Sequence, residues 1–272
     1  MPDMEPYVIL NKEVGETPLS CAEKWRAAHP QYADVPLAYA GRLDPMASGK
    51  LLVLIGDECK NQTNYHGLDK EYEFSILFGI SSDSLDVLGR LQTHDFDAKK
   101  LTEEHVQSVL KELTGKISLP YPKFSAKTVH GKPLHMWTLE NRLDEIKIPT
   151  KNSTVYSLEL GTIESISKED IVQQALEKVN SIPEVTDPRK ALGNDFRRTD
   201  VRADWNNILT NEFLPSEYII ANLTCTASSG TYMRTLAELI SKKLETGGLA
   251  WRIHRTKIGT YDSEESTWSK EY

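Results

Sequence analysis

Long apolar runs and paired cysteines are missing from this sequence, and its first residues lack the pattern expected of a leader peptide. No apolar stretch in the 272 residues approaches the roughly 20 residues that a membrane-spanning helix needs. The first residues, MPDMEPYVIL, show no basic segment ahead of an apolar one, so we expect no secretory signal. Three cysteines, Cys21, Cys59 and Cys225, are far apart and follow no metal-binding spacing. We therefore expect a cytoplasmic protein without membrane spans, with reduced thiols, of which Cys59 and Cys225 pack in the interior.

Positive charge is also scarce. The chain carries 32 lysines and arginines against 40 aspartates and glutamates, which gives a formal net charge of −8. As an average this balance disfavours a nucleic-acid partner, because binding to phosphates rewards lysine and arginine. Basic groups gathered on one face would outweigh that average. Part of the acid excess lies in residues 262–272, which we expect to form a frayed, acidic C-terminal tail.

Strand and helix patterns alternate along the chain, and no internal repeat interrupts them. Residues 70–79 alternate as a strand does, residues 101–115 carry an amphipathic helical stripe, and Ser20 is expected to cap a helix. The pattern dissolves over residues 181–216, which predicts a long insertion that is either functional or disordered. The whole predicts one α+β domain over residues 1–261, with a central mixed or antiparallel sheet flanked by helices.

One short segment, GRLDPMASGK, bends tightly around a single acid, Asp44. Aspartate before proline is a common turn pair, so Asp44 can be read as the residue that starts a turn. The flanking glycines, Gly41 and Gly49, also give the backbone room to approach a ligand, with Asp44 as nucleophile or base. The loop alone leaves both interpretations open.

Three further segments carry side chains suited to a binding site. In SSGTYMRT, Arg234 can pair with a carboxylate, and Tyr232 can join it if the helix start is irregular. The alternative is that Arg234 is exposed to solvent and Tyr232 packs in the core. Tyr72 in KEYEF is either a site residue or the first aromatic of an amphipathic strand. Residues 121–135 interleave lysines with aromatics, which fits a nucleic-acid surface or a solvated loop.

Taken in order, these segments resemble the TruB-type tRNA pseudouridine synthases. The segment GRLDPMASGKLLVLIGDECK is similar to the family signature GxLDPxAxGxLxxxxGxxTK. KEYEFSILFG resembles the K-x-Y strand of the family, FSAKTVHGKPLH its S-A-x-K region, and SSGTYMRTLAELI its G-T-Y-I-R-T segment. WRIHRTKIG is similar to the closing L-R-R-T-x-x-G motif. The five motifs occur in the family's order and span most of the chain.

The resemblance implies a fold, a reaction and a partner. The fold is pseudouridine-synthase-like, so residues 1–261 would form the catalytic domain, with no separate PUA domain after it. The reaction isomerises uridine to pseudouridine in RNA, typically uridine-55 in the T loop of tRNA, without a cofactor or a metal. The implied partner is the T arm of tRNA, bound by a cytoplasmic protein that we expect to be a monomer.

The resemblance also implies roles for individual residues. Asp44 would be the nucleophile, Arg234 would keep it ionised, and Tyr72 would receive the flipped base and act as the base that removes a proton. Implied substrate contacts are Tyr232, Ile253, Gly41, Leu43 and Tyr39. Implied RNA contacts are Lys12, Lys70, Lys127, Lys132 and Arg255.

The chain also departs from the family pattern. Tyr39 stands where the family usually has a histidine, and Thr128 and Ser229 stand where lysine is usual. Together with the acidic balance, these changes predict weaker and more salt-sensitive RNA binding. Three arginines of the insertion are expected to add compensating contacts, namely Arg197, Arg198 and Arg202.

Two other functions compete with an enzyme of this family. One is a tRNA-binding or tRNA-folding chaperone on the same fold with little or no catalysis. The joint presence of Asp44 and Arg234 favours the enzyme, because a binding protein does not need a paired acid. The other is a hydrolase that uses Asp83 and Asp86, although SSDSLDVLG has the pattern of a polar turn after a strand.

Overall fold

The fold is built around one large mixed β-sheet. A computed structural model describes residues 5–95, 97–184 and 197–272. Its strands are β1 Tyr7–Lys12, β2 Leu37–Ala40, β3 Ala47–Ile55, β4 Asp69–Phe78, β5 Ile80–Ser82, β6 Leu91–Thr93, β7 Gly115–Pro120, β8 Thr128–Val129, β9 Lys132–Pro133, β10 Thr150–Ser167, β11 Glu217–Ala227, β12 Gly248–Asp262 and β13 Thr267–Glu271. Its α-helices are α1 Pro18–Ala27, α2 Glu103–Glu112, α3 Leu134–Leu139, α4 Lys168–Ser181, α5 Arg198–Thr210 and α6 Met233–Lys243.

The sheet runs in the order β1-β3-β12-β4-β11-β10-β7, with β2 added beside β3 and β13 beside β12. Every pairing is antiparallel except that of β3 with β12, which is parallel. The predicted α+β class with a mixed sheet is therefore confirmed. Strands β3, β4 and β12 are neighbours at the centre, and this arrangement brings three distant parts of the sequence to one place.

The helices cover the sheet through the apolar stripes that their sequences predict. Helix α2 begins after the N-cap Thr102, whose side chain accepts from the backbone of His105, and it buries Val106, Val109 and Leu110. Helix α6 buries Leu236, Ala237 and Ile240 in the same way. These side chains join one continuous core with the inner faces of β4, β11 and β12.

The helix near the N-terminus begins earlier than predicted. Its N-cap is Thr17, not Ser20, and Pro18 occupies the first turn, where a missing N–H costs nothing. Ser20 is instead the third residue of a capping box, in which its side chain accepts from the backbone of Thr17 and its backbone donates to the Thr17 side chain.

Part of the predicted insertion is a regular helix. Helix α4 extends to Ser181, and helix α5 follows with Val201, Trp205 and Ile208 buried at a spacing of about one turn. The Trp205 side chain is fully buried and its indole N–H donates to the Val87 carbonyl at 3.1 Å. The long-loop prediction is wrong for this part, whereas residues 185–196 lie outside the described residues.

The predicted frayed tail is also ordered in part. Strand β13 pairs with β12, and aromatic side chains hold it in place. The Trp268 ring lies 5.3 Å from that of Tyr261, and the Tyr272 ring lies 5.2 Å from that of Tyr7. The acidic residues of the tail thus belong to a hairpin. The packing of its aromatic rings stabilises this hairpin despite the negative charge of the tail.

The cysteines are free thiols, and Cys225 is buried while Cys59 packs part-buried against a small apolar cluster. None of the helices in the described part of the chain has the length and apolar character needed to cross a membrane.

Candidate active site

The Asp44 loop lies between β2 and β3, at the edge of the central strands. Gly41 has a φ of +84°, which only glycine adopts without strain, and the Ala47 N–H donates to the Asp44 carbonyl to close a turn. Gly49 has a φ of +105°, and a Cβ there would lie 2.2 Å from the Arg255 carbonyl oxygen. The glycine therefore lets β3 approach β12 closely enough to bring their side chains into one site.

Asp44 is paired with Arg234 as the sequence interpretation requires. The Arg234 Nε lies 2.8 Å from Asp44 Oδ2, with the arginine side chain 4% exposed and the carboxylate 37% exposed. The other guanidinium nitrogens donate to the Ser84 carbonyl at 2.7 Å and the Phe124 carbonyl at 3.1 Å. A buried cation with three partners in three directions is fixed in orientation, so it presents its Nε to one place only.

A second carboxylate completes this cluster, although sequence reasoning considered it only as a hydrolase acid or part of a polar turn and did not place it beside Arg234. Asp86 is buried, with Oδ2 at 3.6 Å from Arg234 Nε, and it accepts from the Ser84 hydroxyl at 2.6 Å and the Leu88 N–H at 3.0 Å. Burial raises the pKa of Asp86, and the positive charge of Arg234 opposes that rise. Burial alone would lower the pKa of Arg234, but Asp44 and Asp86 together raise it above its ordinary value.

The Asp44 carboxylate opens into a cavity of about 290 Å³. Tyr72 from β4 and Ile253 from β12 line it, as do Tyr232 and the backbone around Gly230. Tyr232 is the N-cap of α6 in an extended conformation, so the irregular helix start lets it and Arg234 converge on the cavity. Its ring packs edge-on against Tyr121 with centroids 5.6 Å apart. The cavity therefore combines one carboxylate with aromatic and aliphatic walls.

Two buried cations also line the cavity. Lys70 is buried, donates to the Leu68 carbonyl, and has a pKa lowered to about 8 by burial and by the charge of Arg255. Burial lowers the pKa of Arg255, and the neighbouring Tyr72 opposes the change. Burial in turn raises the pKa of the Tyr72 phenol, which Arg255 opposes. The ionised form of Tyr72 is thus disfavoured by burial and favoured by the cation beside it.

The structure brings most predicted site residues together, but not all of them. The cavity is lined by nine of them, namely Gly41, Leu43, Asp44, Lys70, Tyr72, Tyr232, Arg234, Ile253 and Arg255. Tyr39 is not among its lining residues, because its side chain packs with Leu51 and Val53 on the α1 side of the sheet. The predicted contact of Tyr39 with the substrate would therefore have to lie outside this cavity, and it stays a prediction.

Two of the five predicted RNA contacts already have partners within the protein. Lys12 is fully buried and donates to the Glu13 and Glu16 carbonyls at 2.9 and 2.7 Å, so its predicted contact with RNA is wrong. Burial lowers the pKa of Lys12 to about 8. Lys132 is neutralised by Glu140 at 2.6 Å, so it is not free for a phosphate.

Of the other three predicted RNA contacts, one is an exposed lysine and two are buried cations of the cavity. Lys127 is exposed, with Nζ 5.2 Å from the centroid of the Tyr121 ring. Arg255 is buried and donates to the Lys50 carbonyl at 2.7 Å, so it faces the cavity and not the surface. Lys70 is likewise a cavity residue.

The arginines of the insertion have partners within the protein. Arg197 pairs with Asp83 at 2.5 Å, and Arg202 donates to the Asn180 side chain at 2.7 Å. Arg198 is buried and donates to the Ile182 carbonyl. These three arginines therefore hold the segment to the domain, and the expectation that they also contact RNA stays a prediction.

A second cavity of about 480 Å³ lies on the other side of the Asp44–Arg234 pair. It is mostly apolar, with Leu88, Phe124 and Leu139 among its lining residues.

Within the described ranges, no group of three or more histidine, cysteine, aspartate or glutamate side chains is arranged to hold a metal ion.

The fold is similar to that of a chain in a solved complex. A chain in the crystal structure of a Cbf5–Nop10–Gar1 complex matches 93% of this chain with a TM-score of 0.53, at 16% identity and over 48% of its own length. A family model, TruB family pseudouridylate synthase (N terminal domain), matches residues 35–176. The chain therefore belongs to the TruB family of pseudouridylate synthases.

Sequence relatives of this chain carry the name tRNA pseudouridine synthase B. The protein of Lactobacillus johnsonii is 30% identical over 88% of this chain and 74% of its own length. That of Caldicellulosiruptor saccharolyticus is 27% identical over 95% and 69%, and that of Aquifex aeolicus is 28% identical over 86% and 62%. The chain thus spans about two thirds of the length of these relatives.

Proposed function

We propose that this chain is a tRNA pseudouridine synthase that acts on uridine-55 in the T loop. The observation that carries the proposal is the Asp44 carboxylate, held 2.8 Å from the Arg234 guanidinium at the wall of a cavity with Tyr72 beside it. The family and the names of the relatives support the same reaction. The reaction is an isomerisation, in which the C1′–N1 bond breaks, a C1′–C5 bond forms, and a proton moves from C5 to N1.

Asp44 is proposed as the nucleophile that carries the substrate through bond cleavage. A carboxylate must be ionised to do this, and an adjacent guanidinium favours the ionised form. Arg234 is itself fixed by two backbone carbonyls and by Asp86, so it holds Asp44 in one orientation. The pair supplies charge where the glycosidic bond weakens, with little reorganisation during the reaction.

Tyr72 is proposed to receive the base and to take the proton from C5. A target base must leave its stack to enter the cavity, and an aromatic face offsets part of the unstacking cost. Ile253 and Tyr232 supply the remaining walls against the ring. Arg255 opposes the burial that raises the pKa of the Tyr72 phenol, so it favours the form that can accept a proton.

The whole chain is proposed to work as one unit. Residues 1–261 form the catalytic domain, acting as a monomer in the cytoplasm and requiring neither a cofactor nor a metal. Full activity after exhaustive dialysis against EDTA, at the elution volume of a monomer, is the expected result. Loss of activity that a metal ion restores would contradict this part of the proposal.

The proposal is tested by mapping pseudouridine chemically in an unmodified tRNA transcript after incubation with the protein. The expected product is a single pseudouridine at position 55, absent from a control transcript with cytidine at that position. Pseudouridine at another uridine would contradict the assigned position. Tight tRNA binding without any pseudouridine would instead favour the chaperone that the sequence leaves as an alternative.

A further inference from the structure

Many exposed cations in the described part of this acidic chain are paired with a carboxylate. Lys60 lies 2.7 Å from Asp57, and Lys242 lies 2.6 Å from Glu238. Further pairs of this kind hold Lys24, Lys50, Arg90, Lys100, Arg142, Lys243 and Lys257. A paired cation has little net charge to offer a phosphate, so the informative cations are those that the chain leaves unpaired.

Three unpaired cations lie at the Asp44 cavity or beside the residues that line it. Arg42, Lys127 and Lys151 have no carboxylate oxygen within ion-pair distance among the residues that the structure describes. We refer to these three side chains as the cationic rim. Only Lys127 was singled out by sequence reasoning, because Arg42 and Lys151 acquire their position from the fold.

Arg42 reaches the mouth from the Asp44 side. The Gly41 and Arg42 carbonyls each accept from the Arg255 guanidinium at 3.5 Å, which holds the loop backbone in place. The next side chain, Leu43, is buried, whereas Arg42 is exposed and lines the cavity. Its positive charge opposes the rise in the pKa of the Tyr232 phenol, which also lines the cavity.

Lys151 and Lys127 lie beside the cavity on its α6 side. The methylene chain of Lys151 lies across Gly230, where an added Cβ would be 2.6 Å from Lys151 Cε, and Gly230 lines the cavity. The ammonium of Lys127 lies over the Tyr121 ring, and that ring packs against Tyr232. The rim thus has members on two sides of the opening.

We propose that the cationic rim binds the phosphates of the single RNA strand on either side of the nucleotide that enters the cavity. A uracil ring is neutral, but its two neighbouring phosphates stay outside when the base is extruded, and they must be neutralised there. The buried cations Lys70 and Arg255 lie inside the cavity, where their charge contributes to its potential without contacting phosphates at its mouth. This inference rests on the proposed function, because it takes the extruded nucleotide to be the substrate.

The salt dependence of binding measures this contact directly. Each phosphate contact on a single strand contributes about 0.7 to the slope of log affinity against log salt concentration. We expect Arg42→Gln, Lys127→Gln and Lys151→Gln each to reduce the slope for an unmodified T-arm stem–loop by about 0.7, and the triple variant by about 2. Lys242→Gln removes the same charge from a 65% exposed, paired lysine, and its slope should equal that of the wild type.

A neutral linkage in the RNA assigns the phosphate. For the wild type, a stem–loop with a methylphosphonate beside the target uridine should bind more weakly than the all-phosphate stem–loop. For Arg42→Gln, the two RNAs should bind equally well. Arg42→Lys should retain most of the salt slope, because it retains the charge. A loss of steady-state activity in the rim variants is expected mainly as a rise in KM.

Unchanged slopes in the three single variants would overturn the proposal, as would equal losses from the methylphosphonate in wild type and Arg42→Gln. Wild-type protein that shows the expected slopes but forms no pseudouridine would support the rim and contradict the proposed function. The two proposals therefore fail separately.

Discussion

Replacing Arg234 with lysine separates the charge of this residue from its geometry. A lysine keeps a positive charge near Asp44, but its ammonium cannot donate to Asp44, to the Ser84 carbonyl and to the Phe124 carbonyl at once, as the guanidinium does. Two buried acceptors then lose their donor. At about 1.5–3 kcal/mol for each hydrogen bond to a charged group, the free energy of unfolding falls by about 3–6 kcal/mol.

The loss is measurable in stability and in catalysis. For a chain of this size, that change lowers Tm by about 6–12 °C. The Asp44 carboxylate also loses its fixed partner, so kcat should fall by about 100-fold or more, comparable to removing one oriented donor from a site of developing charge. Thermal unfolding and single-turnover pseudouridine formation on saturating tRNA measure the two effects.

A matched control distinguishes geometry from a general effect of the substitution. Arg252 is 57% exposed, and its guanidinium lies 3.8 Å from Glu73, so Arg252→Lys should change stability by less than about 0.5 kcal/mol. If Arg234→Lys turned over at a rate within threefold of the wild type with an unchanged Tm, positive charge alone would suffice. The oriented-guanidinium explanation would then be wrong.

Three further predictions concern the surroundings of this pair. Asp86→Asn retains an acceptor for its local hydrogen bonds but removes the charge that faces Arg234, so kcat should fall about tenfold or more with tRNA affinity retained; equal kcat would contradict this. Gly49→Ala places a Cβ 2.2 Å from the neighbouring strand and should lower the free energy of unfolding by about 3 kcal/mol, whereas Gly67→Ala, with nothing within 4 Å, should not. Because the pKa of Lys70 is about 8, its charge is present below that pH and lost above it, so tRNA affinity should fall as pH rises through 8 in the wild type. Lys70→Met should show no such fall, and identical pH profiles would contradict the assignment.

The sequence predicted which residues carry the chemistry of the site better than it predicted their burial and charge interactions. The motifs identified Asp44 and Arg234 as a pair, although the loop around Asp44 by itself fitted an ordinary turn equally well. Their contact depends on β3 lying near the start of α6, and spacing along the chain cannot give that distance. The order of motifs in a known family supplied the missing information.

The position of Asp86 beside Arg234 was not predicted, because it depends on contacts between segments that are distant in the sequence. SSDSLDVLG has the composition of a polar surface turn, yet a bridge between Asp86 and Ala250 of β12 draws the segment inward. A possible signal was the apolar Val87 directly after the acid, since Val87 is fully buried. The cluster of two acids around one arginine became visible only with the fold.

Lysine burial was the least predictable property. Lys12 is the last residue of β1, and the family resemblance implied that it contacts RNA. Its ammonium is satisfied by carbonyls of the turn at Glu13 and Glu16, and those carbonyls turn towards it only in the folded loop. Sequence identifies a charged residue, whereas the backbone around it decides whether the charge meets solvent, a phosphate or a carbonyl.

The central claim is that Asp44 carries the isomerisation, and Asp44→Asn tests it most directly. The amide is nearly isosteric with the carboxylate and can still accept from Arg234, so the variant should fold and bind tRNA as the wild type does. With a saturating excess of enzyme over an unmodified tRNA transcript, the wild type should convert position 55 to pseudouridine. Asp44→Asn should form none at equal tRNA occupancy, and pseudouridine formed by this variant at the wild-type rate would contradict the account.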